Sequence, residues 1–434
     1  MEWEKRGTRK QKRSSISVPD LQFPGSMFDE EPIYDLGGTF RAWPAERTIA
    51  RARRHFLDFG ITRIANVTGL DHVGVPVWIV VRPLAKSLTV SQGKGKTDEL
   101  AVASGLMESI ELFHAEQFVP RGHLARIDNV FKLQKYINVL SLPVRNDADL
   151  SGRTELEWIE ATSLSGQESR WIPREILDLD FTKRHSPTFV SSSNGLASGN
   201  TFAEAVLHGL CEVIERDQLS LWLARESLGS KPTATRLRLD SINDLYCERL
   251  LEACWRARLE VFIWYVTVDL DVPVFSCSIL DAGKTLFPLR SSGNGCHPRK
   301  NVALSRAITE ALQSRLTIIS GSRDDLYWSR YRLEIPASSE TTLLWSDRIR
   351  NEPESLRYEE ISEFGSVTKA GTTMQQLGRM LAARGLEEVL VVDLTRKDIG
   401  IPVVYIVVPG LEGDVRRPLY TPGTRMVELI GSLT

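Results

Sequence analysis

The chain has 434 residues, of which 42% are hydrophobic and 25% charged, and a formal net charge of -2. That is the make-up of an ordinary globular protein, long enough for one large domain or two. The near-neutral balance gives no general attraction to nucleic acid or to a membrane surface, and no run approaches the roughly 20 apolar residues of a membrane span.

Residues 1 to about 35 read as a separate, flexible tail. A basic run (Lys5, Arg6, Arg9, Lys10, Lys12, Arg13) has no interleaved aromatics and gives way to Pro, Ser and acidic residues. From residue 36 to 434 the chain reads as one domain. Pro44–Phe59 predicts a helix, followed by strands at Thr62–Thr68 and Val75–Val81. Residues 124–190 read as an irregular connection punctuated by Pro and Asp, with one hairpin at 157–173. The helix–strand–strand grammar returns at Ser241–Arg258, Leu259–Thr267 and Val272–Cys277. It returns again at Thr373–Arg384, Val389–Thr395 and Ile401–Gly410. In each case the first strand ends near a threonine (Thr68, Thr267, Thr395). The second opens at Pro76, Pro273 or Pro402, where a missing N–H costs few ladder bonds. Five cysteines (Cys211, Cys247, Cys254, Cys277, Cys296) are odd in number, sparse, and contain no CxxC. They argue against structural zinc and disulfides. With no apolar secretory core near the N-terminus, they fit a reducing cytoplasm.

The most informative stretch is Ser192–Arg216, a Gly/Ser/Asn loop running into a helix. At about 100° per residue, Asn200, Glu204, Glu212 and Glu215 fall within an arc of about 120°, with the apolar Phe202, Val206, Leu210 and Val213 mostly opposite. Two explanations compete. Thr201 and Glu204 spell a capping box, leaving the other acids solvated. Alternatively, the acidic stripe holds a hard divalent cation through oxygen ligands.

Internal repetition favours the second explanation. Gly105–Glu111 aligns with Gly209–Glu215, which also brings Thr97 onto Thr201 and Ala101 onto Ala205. A further copy puts Ala303, Glu310 and Gln313 on Ala205, Glu212 and Glu215. Each copy follows a glycine-rich loop, at Ser91–Gly95, Asn194–Gly199 or Gly293–Gly295. The pattern predicts three pseudo-equivalent helices around one site. If Glu108, Glu111, Glu204, Glu212, Glu215 and Glu310 converge there, cations must neutralise them. The all-oxygen set favours Mg²⁺ with a polyphosphate, which Arg216 and Arg306 can meet. A P-loop is ruled out, because one ending at Lys96–Thr97 needs glycine where Val90 stands. Arg306 and Glu310, four apart, could instead form an intrahelical pair. Cys296 and His297 read as structural.

Over roughly residues 40–410 these residues resemble the YcaO family. The resemblance rests on Ser-x-Gly-Lys-Gly at Ser91–Gly95 and on Ser104, Glu108 and Glu111. It also rests on the long element Asn200, Glu204, Glu212, Glu215 and Arg216, and on Arg306 with Glu310. The resemblance implies the YcaO fold, of the α+β class with internally repeated helix–β-hairpin units, and an ATP site without a P-loop. Glu108, Glu111, Glu212, Glu215 and Glu310 would serve Mg²⁺. Ser104, Asn200, Glu204, Arg216 and Arg306 would serve the nucleotide, with Arg41 and Thr48 as further phosphate contacts. It implies an ATP-dependent enzyme that O-phosphorylates a peptide backbone amide. Attack by a Cys, Ser or Thr side chain gives an azoline; attack by sulfide gives a thioamide. The azoline-forming members commonly carry a Pro-x-Pro-x-Pro tail, whereas this one reads Leu419–Arg425 without such an array. Met107 stands where some members have Arg. The segments Gly37–Pro44, Phe59–Arg63 and Val67–Leu70 are similar to the TfuA-paired subgroup, linked to thioamides and trifolitoxin-type peptides. The implied partners are a peptide substrate and a TfuA-like protein, and a homodimer is compatible. An azoline-forming cyclodehydratase and a non-catalytic nucleotide-binding accessory protein are the alternatives.

Overall fold

The computed structural model describes residues 32–433 except 119–121, 131–132, 134, 166–167, 184–185, 229–234, 282–289 and 327–343. The basic run of the N-terminal tail lies outside the described residues. Packing has begun by Ile33, which is buried and donates its amide to Thr368 O at 3.0 Å, inside the tail boundary read near residue 35.

A ribbon of β1 (Tyr34–Asp35) and β2 (Phe40–Arg41) leads into α1 (Ala45–Arg53) and the single turn α2 (Phe56–Phe59). The helix expected over Pro44–Phe59 is thus interrupted at Arg54 and His55. The turn closes on Gly60 at φ 70°, a left-handed position that suits a residue without Cβ. The first unit follows as β3 (Arg63–Asn66), β4 (Val77–Val81), β5 (Val90–Lys94) and α3 (Asp98–Gln117). Next come β6 (Gly122–Arg126), the turn α4 (Ile127–Val130), β7 (Glu155–Ser163) and β8 (Ser169–Pro173), the last two being the hairpin expected at 157–173. β9 (Leu196–Ser198) runs into α5 (Phe202–Ser227). A second complete unit contains α6 (Leu245–Arg256), β10 (Leu259–Tyr265), β11 (Val274–Asp281), β12 (Arg290–Cys296) and α7 (Lys300–Ser320). The chain ends with α8 (Ala370–Ala383), β13 (Leu390–Asp393), β14 (Val403–Val407) and α9 (Thr424–Leu433).

All pairings between these strands are antiparallel. β3–β4–β5 and β10–β11–β12 form two three-stranded sheets. The third sheet joins distant segments. β9 pairs with β14, with Ser198 opposite Val403, and β14 pairs with β13. Each acidic helix therefore follows the edge strand of its own three-stranded set. For α5 the other two strands arrive from the C-terminal end of the chain. β6 and β7 extend that sheet through β13, and β8 adds to β7. The α+β organisation read from the sequence is the one observed.

The helices bury their apolar faces on these sheets. Val206, Leu210, Val213 and Ile214 of α5 pack with Val404 and Ile406 of β14 and with Met374 and Leu377 of α8. Leu106 and Ile110 of α3 pack with Trp158, Ile172, Leu390 and Val403. Each such fully buried side chain stabilises the fold by about 1.5–3 kcal/mol relative to exposure. Among the described residues no helix is long and apolar enough to cross a membrane.

The glycine-rich segments read as loops are largely strands. Ser91–Lys94 lies in β5, Leu196–Ser198 forms β9 and Gly293–Gly295 lies in β12. Their glycines serve close approach. A Cβ on Gly93 would stand 1.9 Å from Ala101 O of α3, and one on Gly293 would stand 2.2 Å from Ala311 N of α7. The helices rest directly on strand backbone.

His114 of α3 is 1% exposed; its Nδ1 meets Ile110 O at 2.7 Å and its Nε2 has no hydrogen-bond partner among the described residues. Burial pushes the ring's pKa from 6.5 down to about 4. A lowered folded-state value means that neutral His114 contributes stability above about pH 6.5, lost as pH falls toward about 4. We expect the urea midpoint to fall over that window and His114→Leu to flatten the fall. An unchanged slope in the variant would contradict the assignment.

Candidate active site

α3, α5 and α7 converge on a cavity of about 610 Å³. All twelve residues singled out in the sequence line it: Arg41, Thr48, Ser104, Glu108, Glu111, Asn200, Glu204, Glu212, Glu215, Arg216, Arg306 and Glu310. The volume is that of a site for a small organic ligand.

One wall is a hydrogen-bonded chain. Thr48 Oγ donates to Asn200 Oδ1 at 2.8 Å, and Asn200 Nδ2 donates to Glu204 at 3.2 Å. The Glu204 carboxylate also accepts Ala42 N at 2.9 Å and lies 3.5 Å from Arg41 Nε. Only half of the capping box forms. Thr201 Oγ accepts Glu204 N at 3.2 Å, but the carboxylate turns to this chain instead of back to the cap. Thr97, matched to Thr201 by the repeat, caps α3 in the same way through Leu100 N.

The other carboxylates form a row. Glu108 accepts Gln92 N at 3.2 Å, and Glu310 accepts Asn294 N at 3.2 Å. These are matching contacts between an acidic helix and its own edge strand. Glu111 accepts Ser198 N at 2.8 Å and Ser198 Oγ at 2.7 Å, which ties α3 to β9. Glu212, the repeat equivalent of Glu108 and Glu310, accepts no hydrogen bond among the described residues. Removal from water pushes the Glu111 carboxyl up to about 7, with the Ser198 bonds opposing and the Glu108 charge adding. It pushes Glu212 up to about 8, with Arg216 opposing and Glu215 and Glu111 adding. Burial also raises Glu108 and Glu215. Burial works against ionising Glu310 too, but Lys94, Arg216 and the Asn294 amide outweigh it and hold its carboxyl below the usual range. For Arg216, the charges of Glu215, Glu212 and Glu310 outweigh burial and hold it firmly protonated.

The intrahelical alternative for Arg306 and Glu310 gives way to other partners. Glu310 pairs with Lys94 Nζ at 3.2 Å, while Arg306 Nη2 meets His208 Nε2 at 3.0 Å. Cys296 is buried; His297 stacks on Phe40 and accepts Arg299 N at 3.0 Å, both structural parts. Among the described residues no three Asp, Glu, His or Cys side chains gather tightly enough to close around one ion. The acids line a wall and leave space between them, which suits an ion that keeps waters and ligand oxygens.

Three cavity residues carry no role in the sequence reading, although Gln313 stands opposite Glu215 in the repeat and Lys94 lies in the Ser-x-Gly-Lys-Gly motif. Lys94 bridges Glu310 and Gln313, the latter at 2.9 Å; Gln313 Nε2 returns to Gln92 O at 2.9 Å; and His208 holds Arg306.

The family model described as "YcaO cyclodehydratase, ATP- and Mg²⁺-binding" matches residues 92–412. A protein of the tfuA 3′ region of Rhizobium leguminosarum bv. trifolii is 33% identical, over 90% of this chain and 93% of that protein. The structure of YcaO from Methanopyrus kandleri bound with AMPPCP and Mg²⁺ superposes with a TM-score of 0.70 at 22% identity. It covers 91% of this chain and 99% of that one. A heterocyclase in complex with substrate and cofactor superposes with a TM-score of 0.69 at 21% identity, covering 88% of this chain and 55% of that one. With its family match extending over most of its length, this chain belongs to the YcaO family.

Proposed function

We propose that the cavity binds ATP with Mg²⁺ and that the protein is an ATP-dependent enzyme that O-phosphorylates a peptide backbone amide. The amide then becomes a thioamide, with a TfuA-like protein as partner. The observation that carries the reading is the convergence of the twelve residues in one cavity with two unlike walls. Arg41 and Arg306 stand near the Thr48–Asn200–Glu204 chain, suited to phosphate. Glu108, Glu111, Glu212, Glu215 and Glu310 form the acidic row, suited to hard cations. Carboxylates that resist ionisation when empty fit a site completed by positive charge. The family description and the ligands named for the Methanopyrus kandleri protein support nucleotide and magnesium here.

Bound Mg²⁺ would screen phosphate charge. The chain's own residues do the rest. Arg216 and Lys94 lie between acids and keep the row from repelling itself apart. Thr48, Asn200 and Glu204 hold Arg41 in place for a phosphate oxygen. An amide oxygen is a poor leaving group, and phosphorylation cures that. Positioning and charge neutralisation are what this cavity offers.

The thioamide outcome is supported by the relative from the tfuA 3′ region. The heterocyclase likeness favours an azoline as the second reading. The test combines the protein, a TfuA-like protein, a short peptide encoded beside them, sulfide and Mg-ATP, followed by mass spectrometry. Exchange of one oxygen for sulfur is the expected result. Loss of one water with a Cys, Ser or Thr consumed would replace the thioamide with the azoline. An unmodified peptide with ATP bound but not hydrolysed would favour the accessory-protein role.

A further inference from the structure

Several buried arginines of this framework pair with carboxylates. Arg82 pairs with Glu116 at 2.7 Å, Arg315 with Asp71 at 2.8 Å and Asp281 at 3.1 Å, and Arg425 with Asp217 at 2.9 Å. Arg306 differs. Among the described residues the hydrogen-bond partner of its guanidinium is the imidazole of His208, at 3.0 Å. Arginine has no acceptor atom, so Nη2 donates and Nε2 accepts. The ring proton then lies on Nδ1. The contact joins Arg306 of α7 to His208 of α5 across the cavity wall.

Charge explains why an imidazole stands there. Arg306 is close enough to Arg41 for its charge to disfavour protonation of Arg41, and Glu204 is the acid beside Arg41. A carboxylate at position 208 would orient Arg306 equally well but would cancel its charge. Burial and the surrounding cations keep the His208 ring neutral, well below its usual pKa. We propose that His208 is a positioning residue, an uncharged acceptor that fixes Arg306 toward the ligand's phosphates while leaving its full positive charge for them.

This rests on the reading of the cavity as a nucleotide site. The test is calorimetric titration of AMPPCP with Mg²⁺ into the wild type and three variants, each first checked for folding by its unliganded melting curve. His208→Gln keeps a neutral acceptor and is expected to bind within about threefold of wild type, whereas His208→Leu is expected to bind about tenfold or more weakly. His208→Glu is expected to bind more weakly than His208→Leu, although it restores an acceptor. A role in orienting Arg306 alone, indifferent to its charge, predicts the reverse order for these two, and a role in packing alone predicts a Leu variant that binds like wild type. Equal affinity of the Leu variant and the wild type, or a Glu variant tighter than the Leu variant, overturns the proposal. Should the Glu variant fail to fold, the contrast between Gln and Leu decides. No binding by the wild type overturns the nucleotide reading along with it. Wild-type binding with the wrong order overturns the role of His208 alone.

Discussion

Glu212→Gln is expected to turn over ATP at least about 100-fold more slowly than wild type while melting no lower at pH 8. The amide keeps the volume and polarity of the carboxyl but cannot bring a negative charge to a cation. Glu212 is the right residue to remove because no hydrogen bond among the described residues ends on its carboxylate. Its equivalents, Glu108 and Glu310, accept the Gln92 and Asn294 amides. The pKa of Glu212 is raised from 4.5 to about 8, first by burial and then by Glu215 and Glu111 against the pull of Arg216. The sign follows directly. A raised value in the folded state means that the metal-free fold loses stability as pH rises from about 4.5 through about 8. A glutamine escapes that loss, so the variant's advantage in melting temperature should be larger at pH 8 than at pH 5.5. Phosphate release and melting curves at the two pH values measure both parts. Wild-type turnover by the variant would remove Glu212 from the site.

The same comparison explains what could be read in the chain beforehand. The acidic stripes were visible because helix periodicity and repetition act on neighbouring residues: Gly105–Glu111 and Gly209–Glu215 are nearly the same word. All twelve residues chosen on that basis, and on the family resemblance, line one cavity. His208 was equally visible and was passed over. It lies four residues after Glu204 and four before Glu212, on the same stripe, but only acids and amides were counted. Lys94 was hidden by a wrong local reading. With Ser91–Gly95 taken as a loop, no facing could be assigned. As strand β5, its alternation puts Gly93 against α3 and turns Gln92 and Lys94 the other way, where the Lys94 side chain meets Glu310 and Gln313 and the Gln92 side chain meets Thr317. The assembly of the third unit was not legible at all. The strands beside β9 lie at the far end of the chain, and pairing of Ser198 with Val403 leaves no local trace at either position.

Gly93→Ala should destabilise the protein by about 3 kcal/mol or more, at the upper end of what overpacking costs, or should prevent it from accumulating in folded form. The added methyl would lie 1.9 Å from Ala101 O and 2.1 Å from Gly105 N, both backbone atoms of α3. A flexible side chain could swing aside at small cost; a helix backbone cannot. Relief requires α3 to lift away from β5, which opens the core around Leu106 and Ile110 and withdraws Glu108 from the Gln92 amide. The control is Gly431→Ala near the end of α9, where nothing lies within 4 Å of the new methyl. There, alanine's helix preference over glycine makes the change neutral or stabilising by up to about 1 kcal/mol. Urea unfolding of the two variants beside wild type measures the contrast. A Gly93→Ala protein that unfolds at the wild-type urea concentration would mean that β5 and α3 are not in backbone contact. Glu108, which reaches the cavity only because α3 lies flat on that strand, would then lose its place in the acidic row.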